Sequence, residues 1–158
     1  MPGRKNGKPE QKALEEAVRE AIAADPGMSG YEINVKARGS EVVLTGVVDV
    51  LAERERLREI VAAVPGVKRV EANLTLSTDG AVDDREVKME VAQELAAQPG
   101  LDPKDVGAKV EDGVAVLVGR VAADEEEKLA AQAAAKARGV KEVQSHLGRK
   151  GRERREKN

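Results

Sequence analysis

Val42-Val43-Leu44-Thr45-Gly46-Val47-Val48 is a short, largely β-branched run with one glycine near its end, and it leads directly into an acidic, helix-favouring segment. That composition predicts a strand followed by a helix. The arrangement returns at Ala115-Val116-Leu117-Val118-Gly119-Arg120-Val121. Sliding the chain on itself by about 73 positions superposes Pro26-Gly27 on Pro99-Gly100, Lys36 on Lys109, Gly46 on Gly119 and Val48 on Val121 without a gap. The same offset carries Gly66-Val67-Lys68 onto Gly139-Val140-Lys141, Val70 onto Val143 and Leu74 onto Leu147. A long period repeated only twice predicts tandem small domains, because a solenoid needs several copies to bury a continuous core.

The chain of 158 residues contains no Cys, Trp or Phe and a single tyrosine, Tyr31. Each domain of roughly 65 residues is therefore near the lower limit of a self-sufficient core. That core must be built from Val, Leu, Ile, Ala and Met, with neither disulfides nor thiolate metal sites available. Net charge is −2, but unevenly spread. The first twelve residues carry four basic and one acidic side chain, and the last ten carry six and two, which leaves an acidic body between basic ends.

No uninterrupted apolar run is long enough to span a bilayer, and no apolar segment follows the basic N-terminus. The expected location is cytoplasmic for the chain as it stands, or periplasmic if a leader has been removed.

Leu14, Val18 and Ile22 recur every four residues beside Ala17 and Ala21, which predicts an amphipathic helix with Glu15, Glu16, Arg19 and Glu20 on the wet side. Asp25-Pro26-Gly27 ends it. Ile33 to Arg38 alternates apolar and polar residues, the period of a half-buried strand, and Gly39-Ser40 then supplies a hairpin turn. After the Val42–Val48 run, taken as central, Asp49 stands in a capping position ahead of a helix to about Val64. Pro65-Gly66 stops that helix, and a third strand follows through Val67, Val70, Ala72, Leu74 and Leu76.

The second copy repeats this plan, with Asp112-Gly113 as its hairpin turn and Asp124 capping its second helix. The expected fold is α+β, with two tandem small domains, each α-β-β-α-β. In each, a three-stranded mixed sheet is covered on one face by two helices, through a right-handed β-α-β crossover. The expected boundaries are a basic flexible tail over 1–12, a first domain over 13–77, a linker over 78–84, a second domain over 85–148 and a charged flexible tail over 149–158.

The run Val42 to Val48, the charged helix, and Val64-Pro65-Gly66-Val67-Lys68-Arg69-Val70 together resemble a BON domain, the bacterial OsmY and nodulation module. Gly113 to Val121 with Gly139-Val140-Lys141-Glu142-Val143 resembles a second. The two matches extend over residues 13 to 148. The resemblance implies that Gly46, Gly66, Gly119 and Gly139 are the family's structural glycines. It also implies a non-enzymatic binding module, often tandem, associated with phospholipid binding and with osmotic or envelope stress in bacteria.

Chemistry-bearing groups are few. The one histidine, His146, matches Asn73 in the first copy, as a surface strand residue would. No Ser-His-Asp set assembles with a spacing that recommends it. The acidic run Asp124 to Glu127 falls at a helix start, where carboxylates favour the positive end of the dipole. Gly27-Met28-Ser29-Gly30 has the spacing of the KH-domain nucleic-acid loop, but between a helix and a strand rather than between two helices. Accordingly no catalytic residue, metal ligand or cofactor is expected.

Two features are left for a partner. Arg149, Lys150, Arg152, Arg154 and Arg155 are candidate contacts for phosphates of anionic lipid or, as a less favoured alternative, of nucleic acid. The alanine-rich helix from Leu129 to Ala137 offers a small-residue surface for the first domain or another subunit. The leading expectation is reversible attachment to anionic phospholipid. The alternatives are a cytoplasmic sensor of a soluble ligand or cation, in which binding rearranges the domains, and nucleic-acid binding through the basic tails.

Overall fold

The computed structural model describes residues 2–78 and 83–150. The chain divides into two compact units, Met1–Val48 with Glu53–Thr75 and Asp49–Ala52 with Leu76–Asn158. The first is built from helix α1 (Pro2–Ala23), strands β1 (Ile33–Arg38) and β2 (Glu41–Val48), most of helix α2 (Leu51–Ala62) and strand β3 (Arg69–Leu76). The second contains α3 (Asp84–Ala97), β4 (Val106–Glu111), β5 (Val114–Val121), α4 (Asp124–Ala135), β6 (Glu142–Ser145) and β7 (Gly148–Arg149). From β1 onward the elements of the two copies coincide at the sequence offset, β6 and β7 together matching β3. The α+β reading and the α-β-β-α-β order hold in both.

The first sheet has the order β1-β2-β3, and β1 pairs antiparallel with β2 from Ile33↔Gly46 to Arg38↔Glu41. In the second, β4 and β5 pair antiparallel from Val106↔Gly119 to Glu111↔Val114, and β6 joins β5 in parallel. The hairpins turn as their residues demand. Gly39, with φ 58°, occupies the first central position of one, and Asp112 and Gly113, with φ 50° and 79°, occupy both central positions of the other. Positive φ there matches the turn to the right-handed twist of the strands.

Strand alternation places Val35, Ala37, Val42, Leu44 and Val48 in the core, where Val18 and Ile22 of α1 and Leu57 and Val61 of α2 join them. Val106, Ala115, Leu117 and Val121 with Val87, Val91, Leu95 and Ala130 do the same in the second unit. Aliphatic burial at about 25 cal/mol per Å² is what drives each unit together, there being no aromatic core residue or disulfide to add to it.

Four expectations need correction. Helix α1 begins at Pro2, so the segment 1–12 read as a flexible tail is helical from there on. Proline is tolerated at a helix start, where its missing N–H has no intrahelical partner, whereas Pro9 farther in removes one such bond and crowds the carbonyl four residues before it. Second, Val67 belongs to the turn after α2, its N–H donating to the Val64 carbonyl at 3.1 Å, and β3 begins at Arg69. Third, the capping positions are shifted. Helix α2 begins at Leu51, and Asp124 is the first residue of α4 with Ala123 as its N-cap; the Glu126 carboxylate closes that end by accepting from the Ala122 and Ala123 N–H groups.

Fourth, the second sheet has four strands, because Gly148–Arg149 pairs in parallel with Arg120–Val121. The start of the segment 149–158 read as a flexible tail is thus part of the sheet. β6 and β7 share one register against β5 and are interrupted at His146 and Leu147, level with Gly119. Gly119, with φ 121°, departs farther from extended backbone than Gly46, with φ 146°, whose neighbour β3 is continuous.

Candidate functional site

The four glycines that the resemblance singled out occupy positions that a side chain would disturb. A Cβ on Gly46 would lie 2.8 Å from the Glu32 carbonyl oxygen, and one on Gly119 would lie 2.0 Å from that of Asp105. The residue just before the first strand of each hairpin thus passes against the second strand, and the Arg120 N–H donates to the Asp105 carbonyl at 3.0 Å. Gly66 and Gly139, with φ 96° and 88°, reverse the chain after α2 and α4, the conformation in which helices commonly stop.

A polar cluster forms where α4 begins and β7 ends. Arg149 donates to Glu127 at 2.8 Å and also to Asp124, while the Ser145 hydroxyl donates to the other Glu127 oxygen. Ser145 and then Arg149 hold the Glu127 carboxyl below its ordinary value of 4.5. The hydrogen bonds to Glu127 and then Asp124 raise the Arg149 guanidinium further above its ordinary value. Lys150 pairs with Asp105, which raises it above 10.5. Two of the five candidate anion contacts are therefore engaged by carboxylates of their own unit. Arg152, Arg154 and Arg155 lie outside the described residues.

The other sequence candidates take structural places. Asp124 to Glu127 is divided between the helix start and the Arg149 pairing, and among the described residues no group of three or more His, Asp or Glu side chains is gathered to hold a metal ion. His146 is exposed, its N–H donating to the Leu117 carbonyl at 2.9 Å. Gly27 to Gly30 forms the turn between α1 and β1, with Met28 buried as a core plug and the Gly27 N–H donating to the Asp25 carboxylate at 2.9 Å. Arg56 donates to the same carboxylate, which with the Gly27 contact keeps Asp25 below 3.8. In the alanine-rich helix, Ala130, Ala133 and Ala134 are fully buried, and α4 packs against α3, β5 and β6 of its own unit.

One feature escaped the sequence reading. Glu15, placed on the wet side, turns its carboxylate onto the Ala37 N–H at 2.8 Å, and Arg19 donates to the Val35 carbonyl at 3.5 Å. Together they occupy outward-facing backbone groups of β1, an edge strand. No pattern within α1 signals this, since helix periodicity does not say which polar residue borders a sheet edge.

The BON domain model matches residues 11–78 and again 83–148, nearly the whole chain. The chain belongs to the BON domain family. No curated protein sequence matches this BON protein. Among solved structures it is similar to CdsD, described as a structural protein of the type III secretion system of Chlamydia trachomatis, at 13% identity over 93% of this chain and 68% of that one, with a TM-score of 0.38. A structure of the CdsD C-terminal domain is similar at 15% identity over 88% of this chain and 66% of that one, with a TM-score of 0.36. Within the described residues of this BON protein, no helix is long and apolar enough to cross a membrane.

Proposed function

We propose that this tandem BON protein is a non-enzymatic binding module that attaches reversibly to anionic phospholipid headgroups in a bacterial envelope or stress role. The observation that carries the binding reading is that the carboxylates gathered near one another are already committed to cations and a helix end. Asp124 and Glu127 hold Arg149, Glu126 closes the start of α4, Asp25 holds Arg56, and the core has no buried polar or charged residue among those described. A module of this kind meets its ligand at its surface.

The lipid reading is supported by the family and by the sequence after β7. With Arg149 and Lys150 paired internally, the cations offered to headgroups are Arg152, Arg154, Arg155 and Lys157. Each basic residue near an anionic leaflet contributes about 1 kcal/mol, and the attraction fades within a Debye length. Attachment should therefore be weak and salt-sensitive. The test is cosedimentation with neutral and anionic vesicles at low and moderate salt; indifference to anionic lipid at low salt would remove the reading.

A further inference from the structure

The two copies end their last strand differently. In the first, β3 runs unbroken to Leu76. In the second, β6 stops at Ser145, and only Gly148 and Arg149 return to β5, opposite Arg120 and Val121. The sequence offset places Asp124, Gly148 and Arg149 where the first copy has Leu51, Thr75 and Leu76. Both leucines are buried, at 5% and 6% exposure, whereas the Asp124 side chain is 84% exposed. Where one copy buries two apolar side chains, the other sets an ion pair open to water. Gly148 beside it loses more backbone freedom on ordering than the threonine it matches.

Ionic contacts therefore close β7. Arg149 donates to Asp124 and Glu127, and Lys150 donates to Asp105, with Glu126 and Asp102 also facing it. Such contacts are weak singly when their ends reach water, and salt screens them. Backbone pairing adds a ladder of only two residues. An element held this lightly can open while the rest of the sheet stays folded. Lys150 is followed by Gly151 and then by Arg152, Arg154, Arg155 and Lys157. A surface that engages those cations stands within a few residues of the latch.

We propose that Gly148–Lys150 is a detachable strap, closed while Asp124, Glu127 and Asp105 hold its two cations and opened when a surface dense in phosphates takes Arg149 and Lys150 from them. The inference rests on the reading of the protein as a binder of anionic headgroups and gives that attachment two stages. The distal cations make the first contact with the strap closed, and the opened strap then adds Arg149 and Lys150 to it. Asp124, Glu127 and Asp105 are partly or largely exposed, so water replaces the partners they lose. The opener is a headgroup array rather than free phosphate, because only a surface already held by the distal cations presents its phosphates at high effective concentration.

The test uses the full chain at low salt with vesicles of phosphatidylcholine alone or mixed with phosphatidylglycerol, read by sedimentation and by amide exchange with mass spectrometry. The peptide spanning β7 should exchange at least tenfold faster on anionic vesicles than in the free protein or with inorganic phosphate, while one spanning β1 and β2 keeps its rate. Arg120→Cys combined with Gly148→Cys adds the only two cysteines and ties the strap to β5, since these residues are paired and a Cβ on Gly148 would lie 3.6 Å from the Arg120 Cγ. Oxidised, this protein should bind anionic vesicles at least fivefold more weakly than when reduced, without faster exchange. Asp124→Asn combined with Glu127→Gln should speed exchange of the β7 peptide at least tenfold with no vesicles present. Sedimentation with unchanged β7 exchange, equal binding of the oxidised and reduced forms, equal opening by inorganic phosphate, or unchanged exchange in the Asp124→Asn, Glu127→Gln protein would overturn the strap and leave the headgroup reading standing. A full chain that ignores anionic vesicles would remove that reading and the strap with it.

Discussion

Gly119 and Asp105 are held so close that a Cβ on the glycine would lie 2.0 Å from the aspartate's carbonyl oxygen, and the glycine's φ of 121° is one that L side chains rarely adopt. Gly119→Ala should therefore destabilise the second unit by about 3 kcal/mol, combining backbone strain with overpacking. Gly46→Ala, with its contact at 2.8 Å, should cost less, about 1–2 kcal/mol. Gly107→Ala is the control, since its Cβ would meet nothing nearer than Val118 at 4.0 Å; it should be neutral or stabilising by about 0.5 kcal/mol. Urea midpoints at constant m-value would establish this order.

Glu15 should matter more than an exposed helix glutamate. Its side chain is 17% exposed and holds the Ala37 N–H. Glu15→Ala should cost about 1–2 kcal/mol, in the range for a hydrogen bond to a charged group. Amide exchange at Ala37 should accelerate in the variant.

Ala133 has no exposed surface on α4, which packs closely against α3. Ala133→Leu should overpack the interior beneath α4 and cost about 1–3 kcal/mol. The solvent-facing Gln132→Leu should change stability by less than about 0.5 kcal/mol. Thermal unfolding of the two variants separates a packing role for the alanines from simple helix propensity.

Because Ser145 and Arg149 depress the Glu127 pKa, the stability linked to that carboxylate is present above its unfolded value of 4.5 and is lost as pH falls through the lower folded value. Asp25 acts in the same sense below 3.8. An NMR titration should find Glu127 ionising below 4.5, and Arg149→Ala should move its midpoint upward. An unchanged midpoint would show that the pairing does not persist in solution.

The repeat made most of the fold legible, since matched glycines and valines at one offset gave the element order, the hairpins and the parallel third strand. Period-two alternation placed Val35 and Ala37 in the core for the same reason. Less legible were features set by contacts far apart in sequence. Nothing in the spacing of Arg149 and Lys150 told that they would turn back onto Asp124, Glu127 and Asp105, so they resembled free tail cations. Glu15 was indistinguishable from its wet-side neighbours, because its partner is a backbone group of another element. Gly119 was legible as a backbone device, but the interruption it faces between β6 and β7 was not.

The central claim is reversible attachment to anionic headgroups through the basic segment, and vesicle cosedimentation tests it most directly. The full chain, a chain ending at Lys150, and an Arg149→Ala, Lys150→Ala variant should be compared on neutral and anionic vesicles at two salt concentrations. The account predicts that the full chain and the double variant sediment with anionic vesicles at low salt, release at moderate salt and ignore neutral vesicles, while the shortened chain stays in the supernatant. A full chain that leaves anionic vesicles unbound at low salt, or a shortened chain that binds them equally well, would contradict it.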